Sequence, residues 1–168
     1  MAKMNVDPVP VPPADAIAAL EEDLPKVLKG KTLEESGWTR LDPLTLLVPV
    51  VSGRPGEAGD PYFLRLGFGY YREWPPSAQF VNPETKDYQV GRDNKWLPKV
   101  EGWNELHVHA NYNNNGQLIC CSNTLEFYKV GHSVEPKHLW DSERQNFAAT
   151  LRAIEWSLQS EYYKGRQG

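Results

Sequence analysis

The stretch from Glu105 to Ser122 gathers carboxylate, imidazole, carboxamide and thiol groups in one short run. It reads Glu-Leu-His-Val-His-Ala-Asn-Tyr-Asn-Asn-Asn-Gly-Gln-Leu-Ile-Cys-Cys-Ser. A thiolate is the strongest nucleophile this set offers, and neighbouring imidazole or amide groups can lower its pKa or stabilise an oxyanion. The competing reading is an inert core thiol: buried cysteine behaves as a small hydrophobe, and Ile119 beside the pair suggests that one sulfur faces the core. The polar, glycine-containing lead-in from Asn111 to Gln117 favours chemistry, because it reads as a surface turn that presents the residues after it.

Other chemistries of the same residues are weaker. His107, His109, Cys120, Cys121, His132 and His138 are all possible zinc ligands. Adjacent cysteines serve one tetrahedral ion poorly, however, and the chain has no Cys-x-x-Cys spacing, so neither a metal nor another cofactor is expected. A metal-dependent deubiquitinase needs an Asp about ten residues beyond its His-x-His pair; here the first Asp after His109 is Asp141. A vicinal disulfide would be strained and reducible, which keeps a redox role open. His132 and His138 read as surface or structural residues.

The elements that must position this run sit in a chain of 168 residues, the size of one domain with a single core. A hydrophobic fraction of 40% and a charged fraction of 24% are those of a globular protein. The net charge of −4, without a basic run, argues against a nucleic-acid partner. The N-terminal residues lack the continuous apolar core of a signal peptide, and no segment is long and apolar enough to span a bilayer. A cytoplasmic location is therefore expected, with the two cysteines as thiols.

Residues 1–12 read as a flexible, proline-rich lead-in and residues 13–168 as one domain. Pro13 opens a helix carrying Ala16, Ile17, Leu20 and Leu24, which Pro25 should end or kink. A strand around Trp38 to Leu41 precedes another in which Leu44, Leu46, Val48 and Val50 alternate with their neighbours. Tyr62, Leu64, Leu66, Phe68 and Tyr70 share one face of the next strand, and Ala78 to Val81 forms a fourth. The connections are too short for crossover helices, so the four strands form an antiparallel meander. Asn82 to Glu126 has no sustained period and reads as a long functional loop. Ser142 and Gln145 have capping-box spacing before the helical stripe Phe147, Leu151, Ile154 and Leu158. The tail Lys164 to Gly168 reads as a solvated end. The fold class is α+β.

Two motifs in this order carry a family resemblance. Tyr71-Arg72-Glu73-Trp74-Pro75-Pro76-Ser77-Ala78-Gln79-Phe80 resembles the Tyr-Pro-x-x-Pro-Pro-x-x-x-Phe signature of ubiquitin-conjugating enzymes. His109-Ala110-Asn111, followed by Gly116, Ile119 and Cys120, resembles that family's His-Pro-Asn motif and catalytic cysteine. The resemblance runs from about Trp38 to Tyr163 and is closest to prokaryotic members, some in ubiquitin-like conjugation operons and others in cyclic-oligonucleotide antiphage systems. Arg72 and Ala110 depart from the family's prolines, the interval from His109 to Cys120 is one residue longer, and two cysteines stand in place of one.

The resemblance implies a ubiquitin-conjugating-like fold and a cysteine acyltransferase of the bacterial cytoplasm. Cys120, or Cys121 in its place, would carry a protein C-terminal acyl group as a thioester. Asn111 would bond the developing oxyanion or hold the loop, and His109 would order the loop. The implied donor is a cGAS-like nucleotidyltransferase in antiphage defence, or alternatively a ubiquitin-like protein with its activating enzyme. An inactive adaptor of the same fold is the reading from a different functional class.

Overall fold

The computed structural model describes residues 7–54, 56–103, 105–131 and 135–168. Pro13–Val27 form helix α1, with proline in its first turn, where a missing N–H costs no hydrogen bond. Its apolar stripe, Ala16, Leu20 and Leu24, is buried against the sheet. Pro25 does not end the helix, because Leu28 N–H still reaches the Leu24 carbonyl at 2.9 Å across it, and α1 runs on to Val27. Ahead of it, Val11 N–H donates to the Gly69 carbonyl at 3.2 Å, and residues 1–6 of the lead-in lie outside the described residues.

Strands β1 (Thr39–Asp42), β2 (Thr45–Val51), β3 (Pro61–Gly67) and β4 (Ser77–Phe80) form one antiparallel sheet in sequential order. Its register explains the alternation in the sequence. Leu46 faces Leu66, Val48 faces Leu64 and Val50 faces Tyr62, while Leu64 and Leu66 face Phe80 and Ala78 on the other side. All of these point into the core, and each large apolar side chain so enclosed contributes about 1.5–3 kcal/mol. Strand β3 stops at Gly67 rather than continuing to Tyr70. The chain turns there so that Tyr71 enters the core, with Tyr71 N–H on the Phe68 carbonyl and Trp74 N–H on the Tyr70 carbonyl.

That turn is tied to both main helices. The carboxylate of buried Asp23 on α1 accepts from the Tyr71 hydroxyl at 2.7 Å and from Arg72 Nε at 2.9 Å. The Tyr71 hydroxyl accepts in turn from Phe147 N–H, the residue before α3 (Ala148–Gln159), at 2.9 Å. Arg72, which stands where the resembled signature has proline, thus compensates a buried carboxylate together with Lys26, whose Nζ lies 3.7 Å from Asp23 Oδ1. The α3 stripe packs as its period predicts, with Phe147, Leu151, Ile154 and Leu158 buried. Its start differs from the capping-box expectation. Gln145 instead exchanges bonds with Asp141, its Oε1 accepting from Asp141 N–H, and the helix begins only after Tyr71 has taken the Phe147 amide.

The segment 82–126 holds more regular structure than its composition suggests. It contains β5 (Pro98–Val100), β6 (His107–His109), β7 (Leu118–Cys120) and the first residues of a short helix α2 (Leu125–Lys129). The C-terminal tail is also ordered: β8 (Tyr163–Arg166) pairs antiparallel with β5, so it is not a solvated end. Arg166 donates to the Lys95 and Pro61 carbonyls and lies over the Tyr62 ring at 4.6 Å, which fastens the tail to the sheet. The result is an α+β fold with three α-helices and a four-stranded antiparallel sheet among the described residues. No described helix is long and apolar enough to cross a membrane.

Candidate functional site

The candidate site is built on the hairpin of β6 and β7, in which His107 pairs with Cys120, Val108 with Ile119 and His109 with Leu118. The connecting turn explains the run of asparagines. Asn113 and Asn114 adopt positive φ values of 50° and 61°, a region asparagine tolerates better than most residues, and Gly116 follows at 96°. Asn111 closes this turn: its Oδ1 accepts from Gly116 N–H at 2.9 Å, while Tyr112 N–H donates to the Gly116 carbonyl at 2.8 Å.

Gln117 anchors the hairpin to the main sheet. Its Oε1 accepts from Phe80 N–H at 2.7 Å and its Nε2 donates to the Phe80 carbonyl at 2.8 Å, so the side-chain amide pairs with β4 as a neighbouring strand would. Both bonds are buried. Thr124 closes the other end, its hydroxyl reaching the Ile119 and Cys121 carbonyls at 2.8 and 3.0 Å.

The two thiols have different surroundings. Both residues are buried and neither is in a disulfide. Ile119 and Cys121 belong to the hydrophobic core, whereas Cys120 lies outside that cluster, on the strand position that pairs with His107. Burial pushes the Cys120 thiol up to about 11. It pushes Cys121 up to about 12, against the lowering effect of the Asn123 backbone and the Thr124 side chain. Cys121 also lines a cavity of about 850 Å³ between α3 and the side chains of Trp103, Glu105 and Leu106.

The other predicted site residues fall on the same hairpin but at different depths. His109 pairs with Leu118, and its ring lies 6.1 Å from that of His107 and 5.1 Å from that of Tyr112. Asn111 is four residues beyond His107 along the chain, on the order of 13 Å of extended strand from the position opposite Cys120. In this arrangement its carboxamide serves the turn. His138 lines the cavity with Cys121, and His132 lies outside the described residues. Among the described residues no group of three or more His, Cys, Asp or Glu is placed to hold a metal ion.

The proline-containing turn and the cysteine segment meet in space. Leu125 N–H donates to the Pro76 carbonyl at 3.1 Å, and the Trp74 and Tyr128 rings pack with centroids 4.9 Å apart. The Tyr128 hydroxyl donates to the Ser122 carbonyl at 2.6 Å and accepts from Trp140 N–H, while Trp140 Nε1 donates to the Arg72 carbonyl. Sequence reading missed Gln117, Thr124 and Tyr128 as supporting residues. Their signal, polar groups set in an apolar run after Gly116, is weak until the partners are known.

Glu126 completes the junction, its Oε1 accepting from Ala78 N–H of β4 at 2.8 Å. Burial raises its carboxyl to about 7, from an ordinary value of 4.5. Between those two values the folded protein holds a proton that the unfolded chain has released, so this contribution to stability is complete below the lower value and is lost as pH rises through the upper one. Glu126→Gln keeps an acceptor for Ala78 and removes the charge. Urea unfolding should therefore show the variant gaining on the parent between pH 5 and pH 8 by on the order of 2 kcal/mol. Parallel pH profiles for the two proteins would show that Glu126 does not titrate in this window.

Comparisons of the chain with protein-family models, curated proteins and solved structures found no match.

Proposed function

We propose that the protein is a ubiquitin-conjugating-like acyltransferase in which Cys120 carries a protein C-terminal acyl group as a thioester and passes it to an amine. One observation carries the choice of residue: Cys121 packs in the main apolar cluster, whereas Cys120, itself only 6% exposed, is not part of that cluster and sits on a hairpin held to β4 through Gln117. Support for the reaction class comes from the order of elements, α1, meander, hairpin and α3, and from the contact between the two motif segments.

The chemistry depends on the state of the thiol. Burial pushes the Cys120 thiol up to about 11, which leaves it on the order of 10⁻⁴ thiolate at neutral pH, so the proposed transfer requires an acyl donor that is already activated. The Cys120 sulfur attacks the donor's activated C-terminal carbonyl as the bond from that carbonyl to the activating group breaks; the thiol proton passes to solvent when AMP departs, or to the leaving thiolate when an activating enzyme departs. An amine then attacks the thioester. The C–N bond forms as the C–S bond breaks, and the Cys120 thiolate leaves and takes up the proton that the amine gives up.

The donor we favour is a cGAS-like nucleotidyltransferase in bacterial antiphage defence, acting in the cytoplasm; a ubiquitin-like protein with its activating enzyme is the second donor. The test is incubation with each donor, ATP and an activating enzyme, followed by intact-mass measurement with and without a thiol reductant. A reductant-sensitive adduct is the expected result. Absence of any adduct with either donor would leave the fold as that of a binding adaptor. A second nucleophile assignment has one specific observation behind it: Cys121, not Cys120, lines the large cavity.

A further inference from the structure

The β6–β7 hairpin sorts its side chains onto two faces, and the face that carries Cys120 sets an imidazole opposite the thiol. Successive residues of a strand point to opposite sides, and directly paired residues point to the same side. Val108 and Ile119 are paired and pack with the main apolar cluster, as does Cys121 two residues further on. His107 pairs with Cys120 and His109 with Leu118, so these four residues share the other face. Cβ atoms of directly opposed residues lie about 4.5–5.5 Å apart, which puts an imidazole nitrogen within reach of the facing Sγ.

A thiol in this setting needs such a neighbour. Burial makes the Cys120 proton hard to remove, and imidazole is the side chain that accepts and returns a proton near neutral pH. Strands β5, β6 and β7 carry no carboxylate. Their other titratable groups are His109 and Lys99, and Lys99 is exposed and paired with Glu101 at 3.4 Å. The His107 and His109 rings lie 6.1 Å apart with their planes 21° apart, along the Cys120 face. Both histidines are half-buried, so a proton taken up by His107 has a route to solvent.

We infer that His107 is a catalytic residue that accepts the Cys120 proton in the loading step, an assignment that rests on the acyl-carrier reading proposed above. As the bond from Sγ to the donor carbonyl forms and the bond to the activating group breaks, the proton moves from Sγ to a ring nitrogen of His107. The electron pair of the broken bond departs with the activating group. The protonated ring then yields its proton to solvent when AMP departs, or to the leaving thiolate when an activating enzyme departs.

Alkylation by iodoacetamide tests this without any donor. In the Cys121→Ser background Cys120 is the only thiol, and intact mass reads its rate from about pH 6 to about pH 10. With His107 present, the rate should level off once the ring is neutral. His107→Gln should be slower on the order of 10²-fold at neutral pH, rise about tenfold per pH unit and converge on the His107 protein at alkaline pH. Added imidazole should restore the rate of His107→Ala in proportion to its concentration. Circular dichroism checks that each variant is folded. Profiles that coincide, or that differ by one factor at every pH without rescue by imidazole, would overturn the His107 assignment and leave Cys120 standing as the acyl carrier. A Cys120 that resists alkylation at every pH would instead defeat the acyl-carrier reading, and the role of His107 with it.

Discussion

Cys120→Ala is expected to abolish adduct formation, a loss on the order of 10³-fold or more, because in the proposed reaction Cys120 and not the neighbouring Cys121 holds the acyl chain. Cys121→Ala should leave transfer within a few-fold of the parent. Its cost falls on stability, about 1–2 kcal/mol for removing a small buried side chain at the edge of an existing cavity. The two variants separate the roles of neighbouring sulfurs: one substitution removes the reaction and the other loosens the core. Reversed results would move the nucleophile to the cavity side of β7. Single-turnover assays combined with thermal melts of both variants read the two effects separately.

Gln117→Ala should be the most destabilising polar substitution near the site. It leaves the Phe80 N–H and carbonyl without their partners in a buried position, at about 1–3 kcal/mol for each unsatisfied group. A combined loss of about 3 kcal/mol is expected, which for a domain of this size lowers the melting temperature by roughly 6–12 °C. Gln117→Glu should recover part of the loss, since it keeps the acceptor for Phe80 N–H but loses the donor and buries a charge. A Gln117→Ala protein that melts with the parent would mean that the hairpin is not held to β4 through this amide. Donor loading by the same variant should fall together with its stability, because the hairpin that carries Cys120 then loses its amide bridge to β4.

The parts of the fold that were legible in the sequence are those in which burial repeats with a fixed period. Tyr62, Leu64 and Leu66 alternate because β3 turns one face to the core, and Phe147, Leu151, Ile154 and Leu158 recur because one side of α3 is enclosed. Strands β5, β6 and β7 have three residues each, too few to display a period. The tail was misread for a different reason. Lys164 to Gly168 is polar in composition, and its order comes from backbone pairing with β5 and from Arg166 lying over Tyr62, contacts between residues far apart in the chain.

The candidate site was legible as a set of groups but not as a geometry. The resemblance implied that Asn111 would serve the thiol or hold the loop; its carboxamide closes the turn, and the hairpin register puts that turn and Cys120 at opposite ends of the paired segment. Of the two sulfurs the resemblance favours Cys120, and the structure adds that Ile119 and Cys121 share the main apolar cluster whereas Cys120, buried as well, is not part of it. Arg72, a departure from the resembled signature, has its explanation in buried Asp23 on α1.

Cys120→Ser offers the most direct measurement, because serine at the true nucleophile converts a labile thioester into an oxyester. After incubation with donor, ATP and activating enzyme, the Cys120→Ser protein should carry one donor mass that survives thiol reductant and is released by mild alkali. Cys121→Ser should instead keep the reductant-sensitive adduct of the parent. A reductant-resistant adduct on Cys121→Ser, with Cys120→Ser still forming the reductant-sensitive one, would contradict the assignment of Cys120 as the acyl carrier.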